Sequence, residues 1–393
     1  MSEKTRTATS PAETATPPAE IAAPPLKIAS VEAIPVALPL KKPLVMAGQR
    51  IVRSYNMLVR VDAANGLTGW GEAASAPAMT GDLLPGMIAA INDHLGPLVT
   101  GQDAMRRAEL AQRCAHALVC NTGAKSALDM ALNDLVGRHL GVSLADLLGG
   151  AVRETLQPMY LLANGKGEHD LAEARRKLGQ GFRFFKLKIG KRSAIEDANA
   201  VLDLRRQLGN EVLLCADANM EMSFAAARTF AERARDANLL FLEQPLRSGD
   251  AEGMAALARA VPTPLCGDES IGSIASIIAL QRLGAIQGAS IKTLKMGGVS
   301  AAMNAMTVCS ALGLNISLAC KLAESSLGAA ATVQLGCAAP SLSWGVALTH
   351  HYLAEDITET PLAIDNGVVR RPIGPGLGVT VDEARVNKLR IPR

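Results

Sequence analysis

The stretch FRFFKLKIG, residues 182–190, sets two lysines one position apart inside an apolar run. Alternation at period two places Lys186 and Lys188 on one face of a strand, with Leu187 and Ile189 on the other. Two like charges on one buried face repel each other and resist losing water. A strand keeps them there only where something uses them. On either side the same rhythm recurs: LQPMYLLANG, EVLLCADAN, LLFLEQPL, TPLCGDES, GASIKTLKMGG, LNISLACKLAESS and SLSWGVALT are apolar runs, each expected to be followed by a helical stretch. Eight such runs, apolar throughout, fit parallel strands joined by crossover helices. A closed α/β barrel is the economical reading, because it buries every strand on both faces and leaves no edge. A doubly wound open sheet lacks the Gly-rich phosphate loop that such folds use for nucleotides.

Upstream the pattern differs. KIASVEAIPVALPL and SYNMLVRVDAANGLTGWGEA alternate around an Asn65-Gly66 turn, predicting a few antiparallel strands. From about Leu83 the period becomes 3.6, as in KSALDMALNDLVGRHLG. The expected organisation is therefore a flexible Ala/Thr/Pro-rich tail over 1–26 and an α+β domain over 27–150. A barrel over 151–357 follows, then a turn-rich segment over 358–393 that packs back on the first domain.

Composition narrows the function classes. Of the 393 residues 49% are hydrophobic and 20% charged, which fits a compact globular chain. The formal charge of +3 is spread along the sequence, which argues against a nucleic-acid partner. No apolar run reaches the roughly 20 residues of a membrane span. The seven cysteines are scattered without a C-x-x-C pair, predicting free core thiols and a cytoplasmic setting.

The barrel runs end on ionisable residues at regular spacing. Lys188, Asp217, Glu243, Asp268 and Lys292 follow one another at 29, 26, 25 and 24 positions, one strand-helix-loop unit each. In a barrel they would share the C-terminal rim, where barrel enzymes carry their chemistry. Three carboxylates gathered there repel unless a cation lies between them. An all-oxygen set points to Mg²⁺, with Mn²⁺ as a substitute. Lysines on both sides are suited to acid–base work, with Lys186 expected to help depress the Lys188 amine. A metal between two such groups can hold a carboxylate and stabilise the enolate formed when its α-proton leaves.

These residues, as K-x-K (Lys186, Lys188), D-A-N (Asp217 to Asn219), E-Q-P (Glu243 to Pro245), G-D-E-S (Gly267 to Ser270) and IKTLKMGG with Lys292, resemble the muconate lactonizing enzyme subgroup of the enolase superfamily. The likeness runs from Lys27 onward and includes GWGEA around Glu72. It implies an α+β capping domain on a modified (β/α)7β TIM-like barrel, and a homo-oligomer. It also implies Asp217, Glu243 and Asp268 as Mg²⁺ ligands, with Lys188 and Lys292 as acid/base groups on opposite faces of the substrate. Lys186, Asn219 and Glu269 would support them, and Glu324 would stand near the substrate.

The resemblance implies that the cap loops and the last strand set the substrate. SWGVALTHHYLAED lacks the D-x-D of the subgroup's dipeptide epimerases and the acidic-Leu-Phe-Gly stretch of its muconate cycloisomerases. Trp344, placed at the barrel mouth, could receive an ammonium by cation–π contact. His350 and His351, as neighbours, point to opposite faces and are expected in surface or core roles. The loops Met46–Asn56 and Ser75–Asp82 carry Arg53 and Tyr55 but no dense positive cluster. The expectation is thus racemisation, epimerisation or dehydration of a small, proline-like amino or imino acid. Muconate cycloisomerisation and N-acyl amino acid racemisation are the alternatives. A Schiff-base lysine aldolase would not need the three carboxylates, and a non-catalytic binding protein on this fold would not need the full set.

Overall fold

The computed structural model describes residues 25–46, 49–164 and 167–392. Most of the tail expected over 1–26 lies outside the described residues. Leu26, however, is 1% exposed and its backbone N–H donates to Asp103, so the packed chain begins before Lys27.

Three antiparallel strands open the described chain: β1 (Ile28–Met46), β2 (Gln49–Ala63) and β3 (Thr68–Ala74), in that spatial order. Gly66 closes the β2–β3 turn at φ +85°, a conformation that glycine adopts without a Cβ penalty. Alternation splits the strands between two cores. Met57, Val59 and Val61 join the helices of the cap, while Leu58 joins a cluster that includes Leu322 and Leu327 from the barrel side. The sheet is therefore buried on both faces. The helix Thr122–Leu140 presses closely on β3, where an added Cβ on Gly71 would fall 1.9 Å from the Ala127 carbonyl oxygen.

A short strand β4 (Thr155–Leu156) leads into the barrel. The barrel comprises β5 (Pro158–Leu162), β6 (Phe184–Lys188), β7 (Leu213–Asp217), β8 (Leu242–Glu243), β9 (Leu265–Gly267), β10 (Gly288–Ile291), β11 (Asn315–Ala319) and β12 (Val346–Ala347). All pairings are parallel, and β12 returns to β5 to close the ring. The eight apolar runs are these eight strands. Leu187, between the two lysines, packs outward in the core beneath the helices, as period two requires.

The C-terminal segment makes contacts on both sides. β13 (Val369–Arg370) pairs with β4, and the chain after the helix Glu383–Leu389 donates from Ile391 N to Pro35 O on β1.

Trp344 departs from expectation. It precedes β12 and is 3% exposed, stacked on Phe241 at 4.5 Å among Met159, Phe184, Cys215 and Cys266. Those residues fill the N-terminal half of the barrel, so the indole is part of its floor and cannot meet a ligand at the mouth. The histidines sit away from the site too. His350 contacts the Leu362 carbonyl, and His351 lies against Tyr160 and Tyr352. All seven cysteines are free, six of them buried and Cys120 exposed. Among the described residues no helix is long and apolar enough to cross a membrane.

Candidate active site

Strand ends build the site. Lys188, Asp217 and Glu243 are the last residues of β6, β7 and β8, while Asp268 and Lys292 follow β9 and β10. With eight strands in the ring, β6 and β10 stand four apart. Lys188 and Lys292 therefore rise from opposite walls, and the three acids come from the strands between them. All five line a cavity of about 100 Å³, together with Lys186, Asn219, Lys321, Met79, Leu348 and others.

Each acid is paired. Glu243 meets Lys186, Asp217 Oδ2 accepts from Lys188 at 2.5 Å, and Asp268 Oδ2 accepts from Lys292 at 2.5 Å. Lys186 was expected to help depress the Lys188 amine; in the structure the two amines take different carboxylate partners, Glu243 and Asp217. Burial alone would depress the Lys186 amine, but Glu243 beside it raises it instead. The Lys292 amine is likewise raised by Asp268 against the effect of burial. Burial would lift Asp268, yet Lys292 and Lys295 hold it well below the usual carboxylate range.

Lys295 was missed by the sequence reading. It is 2% exposed and donates to Asp268 Oδ1 at 2.6 Å and to the Asp268 and Ser290 carbonyls at 2.5 and 2.8 Å. Its position three after Lys292, on a single helical turn, could have placed both on one side. Asn219 links two groups, accepting from Lys188 at 2.5 Å and donating to Glu269 Oε1 at 3.0 Å. Burial and then Asp268 push Glu269 up to about 7.

The remaining candidates lie elsewhere. Arg53 and Tyr55 line a second cavity of about 470 Å³ under the cap, with Ile51, Ala78 and Glu269. Met79, Asn219, Lys321 and Leu322 border both cavities, so the two adjoin. Glu324 does not line the inner cavity. It is 3% exposed behind it, in a region shared with Glu72, and burial followed by Glu72 pushes it up to about 8. Glu324 immediately precedes Ser325, the cap of the helix Ser326–Ala338, and lies against Gly328 and Glu72. Glu72 fastens the cap there, accepting from Ser325 N, Ser325 Oγ, Gly328 N and Asn56 Nδ2.

Can these residues hold a divalent cation? Among the described residues no three acids converge as a ready-made ligand set, because each is turned onto a lysine. The donor chemistry nevertheless fits, with three buried oxygen donors on adjacent strands at one rim. Beside them Glu269 Oε2 is buried without a hydrogen-bond partner, an uncompensated acceptor of the kind a cation satisfies.

Comparison with known proteins agrees with this geometry. Residues 28–149 match the mandelate racemase/muconate lactonizing enzyme N-terminal domain, and residues 169–385 match the enolase C-terminal domain-like family. A chloromuconate cycloisomerase of Pseudomonas putida is 30% identical over 90% of this chain and 96% of its own. An L-Ala-D/L-Glu epimerase of Bacillus subtilis is 28% identical over 89% and 95%. The muconate lactonizing enzyme of Pseudomonas fluorescens, solved with muconolactone, superposes with a TM-score of 0.90 at 30% identity, covering 93% of this chain and 99% of that one.

Proposed function

Because the chain belongs to the enolase superfamily, in its muconate lactonizing enzyme subgroup, we propose that it is a Mg²⁺-dependent cycloisomerase of a small unsaturated dicarboxylate of the muconate class. The observation that carries the reading is the placement of Lys188 and Lys292 on opposite walls, with Asp217, Glu243 and Asp268 between them. Asp217, Glu243 and Asp268 would hold the cation, releasing Lys188 from Asp217 and Lys292 from Asp268 for acid–base work. Bound there, Mg²⁺ would fix a substrate carboxylate and stabilise the charge that gathers on it in the enolate.

The chain's own groups do the rest. In lactonisation the second carboxylate adds to the double bond, and one of the two wall lysines delivers a proton to the α-carbon. In the reverse direction that lysine removes the proton. Lys186 and Lys295 stay beside Glu243 and Asp268 and offset part of the negative charge gathered there. Met79 and Leu322 border both cavities and put apolar surface at their junction.

Two observations favour cycloisomerisation over the amino- or imino-acid reading. The Trp344 indole on which recognition of an ammonium was to rest is in the barrel floor. Two of the three relatives described above act on muconate or its lactone by their names. The test is proton NMR of cis,cis-muconate, proline, N-acetylated amino acids and L-Ala-L-Glu, each with enzyme and Mg²⁺. Lactone from muconate alone is the expected result. Inversion of an amino-acid centre without lactone formation would replace the proposal with a racemase or epimerase.

A further inference from the structure

The lysine count of the inner cavity does not balance. Lys186, Lys188, Lys292 and Lys321 line it against Asp217, Glu243 and Asp268. Three lysines pair with the three acids. Lys321, two residues beyond β11, is left over: among the described residues it forms no salt bridge, and its Nζ donates no hydrogen bond. Glu324, whose backbone N–H donates to the Lys321 carbonyl, is pushed up to about 8 by burial and then Glu72 and so supplies little charge. Glu269, across the outer cavity, is already bonded to Asn219. An amine that loses water without a partner is costly, so the position calls for an anion from outside the chain.

Lys321 borders both the inner cavity and the cap cavity, which also holds Arg53. We propose that Lys321 is the anchor for a second, distal carboxylate of the substrate, at the passage between the reacting centre and the cap. A dicarboxylate then spans the two cavities, with its reacting end among Lys188, Lys292 and the three acids and its far end on Lys321, with Arg53 further out. This rests on the enolate reading for where the reacting carboxylate lies. Burial, with Lys292 adding to it, lowers the Lys321 amine to about 8, consistent with a charge awaiting its counter-ion.

The test is calorimetric and needs no turnover. Adipate and hexanoate share a chain length and differ by one carboxylate. Each is titrated into the Mg²⁺-loaded wild-type protein and into Lys321→Met and Lys321→Arg variants, with folding checked by circular dichroism. The wild type is expected to prefer adipate by about ten- to hundredfold, the range of one charge-assisted contact. Lys321→Met removes the preference and Lys321→Arg keeps most of it. Equal affinity of the wild type for the two acids, failure of both to bind, or a preference that survives Lys321→Met overturns the assignment. A Lys321-dependent preference in a protein that forms no lactone from muconate would support the anchor and count against the cycloisomerase reading alone.

Discussion

Glu324→Gln is expected to stabilise the protein at alkaline pH and to flatten its pH dependence. Glu324 is 3% exposed and faces Glu72 across Gly328: a Cβ added there would lie 3.1 Å from Glu72 Oε2 and 3.2 Å from Glu324 Oε2. Burial, and after it Glu72, raise the Glu324 carboxyl from 4.5 to about 8. A raised acid holds its proton longer in the fold than in the unfolded chain. Between about pH 4.5 and 8 the native state therefore binds more protons, and stability falls as pH rises. The contribution is complete below the unfolded value and gone above the folded one. At about 1.36 kcal/mol per pH unit, that window sets a ceiling of about 5 kcal/mol. Glutamine keeps the shape and has no proton to lose. Urea denaturation of both proteins between about pH 5 and 9 should give curves that diverge as pH rises, by at least about 2 kcal/mol at the alkaline end. Curves that stay parallel refute the reasoning, because Glu324 would then titrate alike in both states.

Lys188→Ala and Lys292→Ala should each lower turnover by about a thousandfold or more in steady-state assays, while Mg²⁺ still raises the melting temperature. Asp217→Asn should instead abolish that Mg²⁺-dependent rise, which in the wild type corresponds to about 2.7 kcal/mol at a hundredfold excess over Kd. Lys295→Met removes a buried charge from Asp268 and two carbonyls and should cost about 3 kcal/mol by chemical denaturation. Gly288→Ala would drive a Cβ to 2.2 Å from the Trp344 ring, and a loss of about 1–3 kcal/mol in the same assay is expected from overpacking the floor.

The barrel was legible because its strands are mainly apolar and five in a row, β6 to β10, end on or are followed at once by an ionisable side chain, so the runs marked the strands and their spacing marked the rim. The cap sheet was legible from alternation and one Asn-Gly turn. Trp344 was misplaced because SLSWGVALT does not say which end of the run forms the strand; once β12 is Val346–Ala347, the indole belongs to the start. Lys321, 29 positions after Lys292, continues the rim spacing, whereas the residue expected from that run was Glu324. Nothing local marks Lys321 as unpaired, since that depends on which carboxylates the other lysines take. The bond from Glu72 to the helix at Ser325 joins residues 253 positions apart, a distance no periodicity spans.

The central claim, that opposed lysines exchange the α-proton of a carboxylate, is tested most directly by proton NMR of muconolactone in D₂O with enzyme and Mg²⁺. The account predicts deuterium at one of the two α-positions beside the free carboxylate, and none with a Lys188→Ala/Lys292→Ala double variant. Exchange that persists in the double variant, or no exchange by a wild-type protein that binds the lactone, would contradict it.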